Sequence, residues 1–94
     1  TANTAIGFQT LVQNSGGTGN TAIGYRSLYN NTMGLRNIGL GYMTLSTNLS
    51  GDDNCALGYN ALITGSGSQN TALGSFSMEA TTSGQYNTAM GYQS

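Results

Sequence analysis

Asn20-Thr21-Ala22-Ile23-Gly24-Tyr25-Arg26-Ser27-Leu28 is the stretch whose reading decides the fold, because it returns along the whole chain. Asn3, Asn20, Asn37, Asn54, Asn70 and Asn87 anchor successive copies, at steps of 17, 17, 17, 16 and 17 residues. A fixed short period is the mark of a repeat architecture, in which each unit buries its apolar face only against its neighbours. The 94 residues therefore read as one repeat array over residues 1–94, with coils starting at those six asparagines.

Aligned on the asparagine, each column has its own chemistry. The second residue after it is small: Ala5, Ala22, Gly39, Ala56, Ala72 and Ala89. The third is a large aliphatic: Ile6, Ile23, Leu40, Leu57, Leu73 and Met90. The fourth is Gly7, Gly24, Gly41, Gly58, Gly74 and Gly91. The fifth is aromatic at Phe8, Tyr25, Tyr42, Tyr59 and Tyr92, with Ser75 as the exception. The seventh is small, and the eighth is aliphatic again at Leu11, Leu28, Leu45, Leu62 and Met78. A second glycine comes late in each unit, at Gly17, Gly34, Gly51, Gly67 and Gly84. The one shortened unit loses its residue between Leu62 and Gly67, so the aligned block keeps its register and a loop absorbs the change.

A helical reading fails on spacing and on composition. Helices need apolar residues at i, i+3, i+4 and i+7 with good helix formers between them. Here Gly, Asn, Ser and Thr fill about half the chain, and these favour turns. The expected fold is all-β: a parallel β-solenoid of the β-roll type, with about 17 residues per coil. Two short strands per coil would meet at a bend on the fourth-column glycine, and a Gly/Asn/Ser loop would lead to the next coil. Stacking at about 4.8 Å turns every column into a ladder and gives a rod on the order of 26 Å long. The third and eighth columns are the expected core: Ile6, Leu11, Ile23, Leu28, Leu40, Leu45, Leu57, Leu62, Leu73, Met78 and Met90. Asn20, Asn37, Asn54, Asn70 and Asn87, with Gly24, Gly41, Gly58, Gly74 and Gly91, are the expected turn ladders. The asparagine amides would bond to backbone of their own or the next coil. The small second column leaves room for the opposite wall of a thin coil or for a neighbouring chain.

Two large aliphatics and a tyrosine per coil are little apolar surface against the entropy of ordering 17 residues. A homotrimer is the simplest expected remedy, with Tyr25, Tyr42, Tyr59 and Tyr92 as the candidate interface, since a tyrosine buries its ring and keeps its hydroxyl wet.

Charge and composition narrow the function classes. Charged residues are 5% of the chain, against about 25% for an average soluble domain. They are Arg26, Arg36, Asp52, Asp53 and Glu79, with no Lys or His. Phosphate recognition needs clustered Lys and Arg, so no nucleic-acid partner is expected. No apolar run approaches the roughly 20 residues of a spanning helix, and no basic amphipathic face is present, so no membrane insertion is expected. No enzyme is expected: His and Lys are missing, and no carboxylate pair sits on a recognisable scaffold. No cofactor or metal is expected. Asp52-Asp53 reads as a solvated turn over a weak calcium site, because the pair occurs once and not in every coil. Gly39-Leu40-Gly41 and Gly65-Ser66-Gly67 lack the lysine of a phosphate loop. Cys55 stands where other copies carry Thr and reads as a small filler; no base is available to activate it. The Thr4, Thr21, Thr71 and Thr88 column is interrupted by Ile38 and Cys55, which weighs against an ice-binding row. Asn30 and Asn48 head N-x-[S/T] triplets in loops.

The unit N-T-A-[I/L]-G-Y-x-[S/A]-L resembles the head repeats of YadA-like trimeric autotransporter adhesins. It is still more similar to the NTAxGxxAL arrays of tail-fibre-like proteins of bacteriophages and large viruses, since adhesin coils run nearer 14 residues. The resemblance covers essentially the whole chain. It implies a left-handed β-roll with three chains side by side. The expected function is a shaft or spacer of an extracellular or virion fibre, within a longer array. The alternatives are a surface that itself adheres to host glycans or a receptor, and a self-assembling filament subunit.

Overall fold

In the computed structural model, which describes residues 2–63, 67–79 and 84–94, the chain is an all-β solenoid of about five turns. Each coil contributes one three-residue strand: β1 (Thr4–Ile6), β2 (Thr21–Ile23), β3 (Ile38–Leu40), β4 (Cys55–Leu57), β5 (Thr71–Leu73) and β6 (Thr88–Met90). They form one parallel sheet in chain order. Register follows the sequence columns: Ala22 lies beside Ala5 and Gly39, and Leu57 beside Leu40 and Leu73. Pairing of Cys55 with Thr71 stays in phase across the 16-residue coil. The shortening lies between Leu62 and Gly67; residues 64–66 of that stretch, including Gly65 and Ser66 of the glycine pair, are outside the described residues.

One strand per coil replaces the expected two. The strand ends at the fourth-column glycine, whose φ lies between 118° and 129° in all six coils. Beyond it the chain turns repeatedly, and the turns are made with residues other than glycine. The sixth column is left-handed at Gln9, Arg26, Met43, Asn60, Phe76 and Gln93. The eighth is left-handed at Leu11, Leu28, Leu45, Leu62 and Met78, with φ between 49° and 51°. The residue before the anchoring asparagine is left-handed as well, and only there does one coil use a glycine, Gly19. Such conformations cost L-residues roughly 1–2 kcal/mol each. They persist because inter-coil hydrogen bonds hold both sides of each turn: Arg26 N–H donates to the Phe8 carbonyl (3.0 Å) and Leu28 N–H to that of Thr44 (2.9 Å).

The core differs from the one expected. Successive side chains of a strand point to opposite faces. In Thr21-Ala22-Ile23 the alanine is therefore the inward residue, and Ile23 points out. Ala22, Ala56 and Ala72 are buried, with Leu28, Leu45, Leu62, Met78 and Ala61. Of the third column, Ile23 is 38% exposed, Leu57 42% and Leu73 37%. Ile6 and Met90 are more exposed still, and Leu40 is half-buried. The third column is thus an outer row on the sheet; the aliphatic core is the eighth column, facing the alanines. In the end coil Leu11 is half-buried against that core.

The small second column is a consequence of thinness. The opposite wall carries the seventh column, and Ser27, Thr44, Ala61 and Ser77 are buried there. A Cβ on Gly39 would lie 2.5 Å from Ser27 Oγ and 2.8 Å from Thr44 Oγ1. Ser27 Oγ instead donates to the Gly39 carbonyl (2.9 Å) and shares a 2.7 Å hydrogen bond with Thr44 Oγ1. The principal extents, 32 × 23 × 16 Å, are those of a flattened rod.

Candidate functional surface

Two features organise the molecule: amide ladders inside, and an apolar and aromatic stripe outside. The anchoring asparagines perform two tasks at once. Asn37 Oδ1 accepts from the backbone N–H of Asn54 in the next coil (2.9 Å). Its Nδ2 donates to the carbonyl of Gly51, the late glycine of its own coil (2.7 Å). Asn20 repeats this toward Asn37 N–H (2.8 Å) and the Gly34 carbonyl (2.9 Å). Asn54 and Asn70 do the same toward Asn70 and Asn87. One amide closes a coil and stacks it. Asn20, Asn37, Asn54 and Asn70 are fully buried, where unpaired polar groups would be costly.

A second amide ladder escaped the sequence reading. Asn31 Nδ2 donates to Asn14 Oδ1 (3.2 Å), and Asn48 Nδ2 to Asn31 Oδ1 (2.9 Å). Asn31 and Asn48 also donate to the carbonyls of Gly34 and Gly51. Gly17, Gly34 and Gly51 therefore each accept from two amides at once, and the crowding around Gly17 and Gly34 leaves no room for a side chain. A Cβ on Gly34 would meet Asn31 Oδ1 at 2.3 Å and the Gly51 carbonyl oxygen at 2.5 Å. The signal was present as a 17-residue step within the stretch taken for a variable loop. Among the described residues the ladder runs to Asn48, whose Oδ1 is buried and has no hydrogen-bond partner among them. Seventeen residues on stands Gly65, which has no amide to donate and lies outside the described residues. Of the two N-x-[S/T] asparagines, Asn48 is fully buried and Asn30 half-buried.

On the outside, the third column runs along the sheet beside the aromatic column. Phe8, Tyr25, Tyr42 and Tyr59 stack with ring centroids 5.7, 4.9 and 5.0 Å apart and interplanar angles of 11°, 18° and 14°. At Ser75 the stack breaks. Phe76, one residue later, fills in edge-on, 5.2 Å from Tyr59 and 6.0 Å from Tyr92. Stacked rings cover one another's faces along the rod. What Tyr42 presents outward is a ring edge and a hydroxyl, not the flat face that a sugar ring stacks on.

The charged residues do local work. Arg36 makes a two-pronged pair with Asp53 in the next coil, at 2.6 and 2.9 Å. That hydrogen bond holds the Asp53 carboxyl below its ordinary range. Asp52 Oδ1 accepts from Leu35 N–H (2.8 Å). The two aspartates thus serve different partners, and no group of three or more metal-ligating side chains lies together among the described residues. Arg26 lies 5.5 Å over the Tyr25 ring and 4.9 Å over Tyr29, and its Nε donates to Gln9 Oε1 (2.8 Å). Cys55 is half-buried in the outward first column, between Ile38 and Thr71. No described helix is long and apolar enough to cross a membrane.

Comparison with family models, curated proteins and solved structures finds no match for this chain.

Proposed function

We propose that the chain is a shaft or spacer of an extracellular or virion fibre, with a mechanical and not a catalytic role. The observation that carries this reading is the double amide ladder. The anchoring ladder couples each coil to the next and keeps its phase across the shortened unit, and the second ladder joins the first three coils. Ladders of that kind resist bending and shear, as stacked amides do in cross-β structures.

The same proposal includes self-association. Ile6, Ile23, Leu57, Leu73 and Met90 form an exposed aliphatic row, continuous with half-buried Leu40 and flanked by the tyrosines. Soluble chains seldom leave such a stripe in water. A second and third copy would cover it with an identical, equally uncharged stripe, the sheet rows meeting at the centre and the tyrosine hydroxyls at the rim. Left-handed winding and threefold packing are what the repeat's resemblance to adhesin and tail-fibre arrays adds. Adhesion to glycans ranks below the shaft reading, because the aromatic faces are spent on one another.

Rod length tests the shaft reading. Duplicating the unit Asn20–Arg36 in place should lengthen the particle by about 4.8 Å, read by small-angle X-ray scattering, with the cross-section unchanged. A globular change in radius with no elongation would overturn it.

A further inference from the structure

Tyr25, Tyr42 and Tyr59 are three phenols in consecutive coils with no other ring between them. Their centroids are 4.9 and 5.0 Å apart and their planes within 18° and 14° of parallel. Backbone hydrogen bonds fix that spacing from below: Met43 N–H donates to the Tyr25 carbonyl (2.8 Å), and Asn60 N–H to that of Tyr42 (2.9 Å). The rings are not sealed in. Tyr42 is 43% and Tyr59 46% exposed, so an oxidant can reach a ring edge.

We propose that the Tyr25–Tyr42–Tyr59 stack is a modification site, where a one-electron oxidant of the haem-peroxidase class, working with hydrogen peroxide, joins adjacent coils through a tyrosine–tyrosine bond. Loss of one electron and the hydroxyl proton leaves a phenoxyl radical with spin on the carbons ortho to oxygen. Two such radicals on neighbouring rings combine by a carbon–carbon bond between ortho positions. The two ortho hydrogens then move to the phenol oxygens, which restores both aromatic rings. The peroxide takes up the two electrons and two protons, so two tyrosines and one hydrogen peroxide give one coupled pair and two waters. The step needs two phenols side by side, with room for the rings to slide from face-stacked to edge-joined. The outer side of the column supplies that room.

The remaining tyrosines lack the geometry. Tyr92 meets Phe76 at 6.0 Å and 88°, and phenylalanine has no hydroxyl to oxidise. Tyr29 faces the Arg26 guanidinium. Tyr86, 75% exposed, stacks on no described ring. The proposal therefore predicts coupling by adjacency and against exposure. The product would be a covalent staple parallel to the rod axis, added to the hydrogen-bond ladders.

The test treats the dilute native protein with a haem peroxidase and hydrogen peroxide. Intact mass should fall by two hydrogens per bond without doubling. Trypsin cuts only after Arg26 and Arg36, so a Tyr25–Tyr42 bond joins the peptide ending at Arg26 to the one starting at Asn37, and fragment-ion sequencing locates the bond. Tyr42→Phe keeps a ring in the stack, as Phe8 already does in this column. It should reduce in-chain coupling to the level of the urea-unfolded protein, with the far-ultraviolet circular dichroism spectrum unchanged. Coupling of Tyr42→Phe equal to wild type, bonds at Tyr86 or Tyr92 in place of the stack, or products formed only between chains would each overturn the proposal.

Discussion

Asn37 carries the stability argument at its smallest scale. Its amide oxygen and nitrogen are both engaged in a fully buried site, one across coils and one within its own. Asn37→Ala leaves the Asn54 N–H without a partner, and the loss should be about 2–3 kcal/mol by urea denaturation. An effect under about 0.5 kcal/mol, the size usual for a surface site, would mean that water replaces the amide. The left-handed columns make an opposite prediction. Gln69, at φ 61°, is exposed, and its backbone N–H donates to the Asp52 carbonyl, a bond that glycine keeps. Gln69→Gly relieves strain of about 1–2 kcal/mol and adds about 0.5–1 kcal/mol of unfolded-chain entropy. Stability should rise slightly, checked by the shift of the denaturation midpoint; a fall would show that the turn is held without strain. The Arg36–Asp53 pair gives the pH dependence. The Asp53 carboxyl is held below its ordinary value by the Arg36 hydrogen bond. Its contribution is therefore present above the ordinary aspartate pKa and fades as pH falls through the lower folded value. Both partners are solvent-exposed, so the contribution is small. An unfolding midpoint that moved strongly between pH 5 and 8 would contradict this.

At the scale of the element, the period and the strand before each fourth-column glycine are legible in the sequence; the second strand expected after that glycine is replaced by turns, and the direction of each side chain is not legible. The 17-residue step located six strands, and the fourth-column glycine located their ends. Hydrophobicity then misled. Ile23 is larger and more apolar than Ala22, which points it inward by hydrophobicity, yet the middle residue of each strand is the one that faces the opposite wall, so its neighbours point out. The wall is close enough that Gly39 cannot carry even a methyl group without displacing Ser27 and Thr44. Small size, not apolarity, was the inward signal. The second asparagine ladder was missed for a related reason: Asn14, Asn31 and Asn48 were read as loop composition, when their equal spacing marked a buried row. Leu28 and Ile23 separate the two columns experimentally. Leu28→Ala opens a cavity in the leucine row between Leu11 and Leu45 and should cost about 2–5 kcal/mol. Ile23→Thr, matching the neighbouring Thr21, should preserve the β-type circular dichroism spectrum and weaken assembly instead. Equal loss of secondary structure in both variants would show that the third column belongs to the core of the single chain.

For the whole molecule, a single chain leaves its outer aliphatic row exposed. One wall of alanines against one row of Leu28, Leu45, Leu62 and Met78 is a narrow core, and a second aliphatic row of similar size lies outside it. Hydrogen-bond ladders give stiffness along the rod but cover nothing on its sides. The same columns that make the rod regular make its surface regular, and the proposed self-association pairs that repeating stripe with another copy of itself. Unfolding should then depend on chain concentration, as it does for any assembly in which binding stabilises the folded chain. The decisive measurement is sedimentation equilibrium over a wide range of protein concentration. The account predicts a single species of three times the chain mass, converted to smaller species by Ile23→Thr with Leu57→Thr. A wild-type chain that sediments as a folded monomer at every concentration would contradict it.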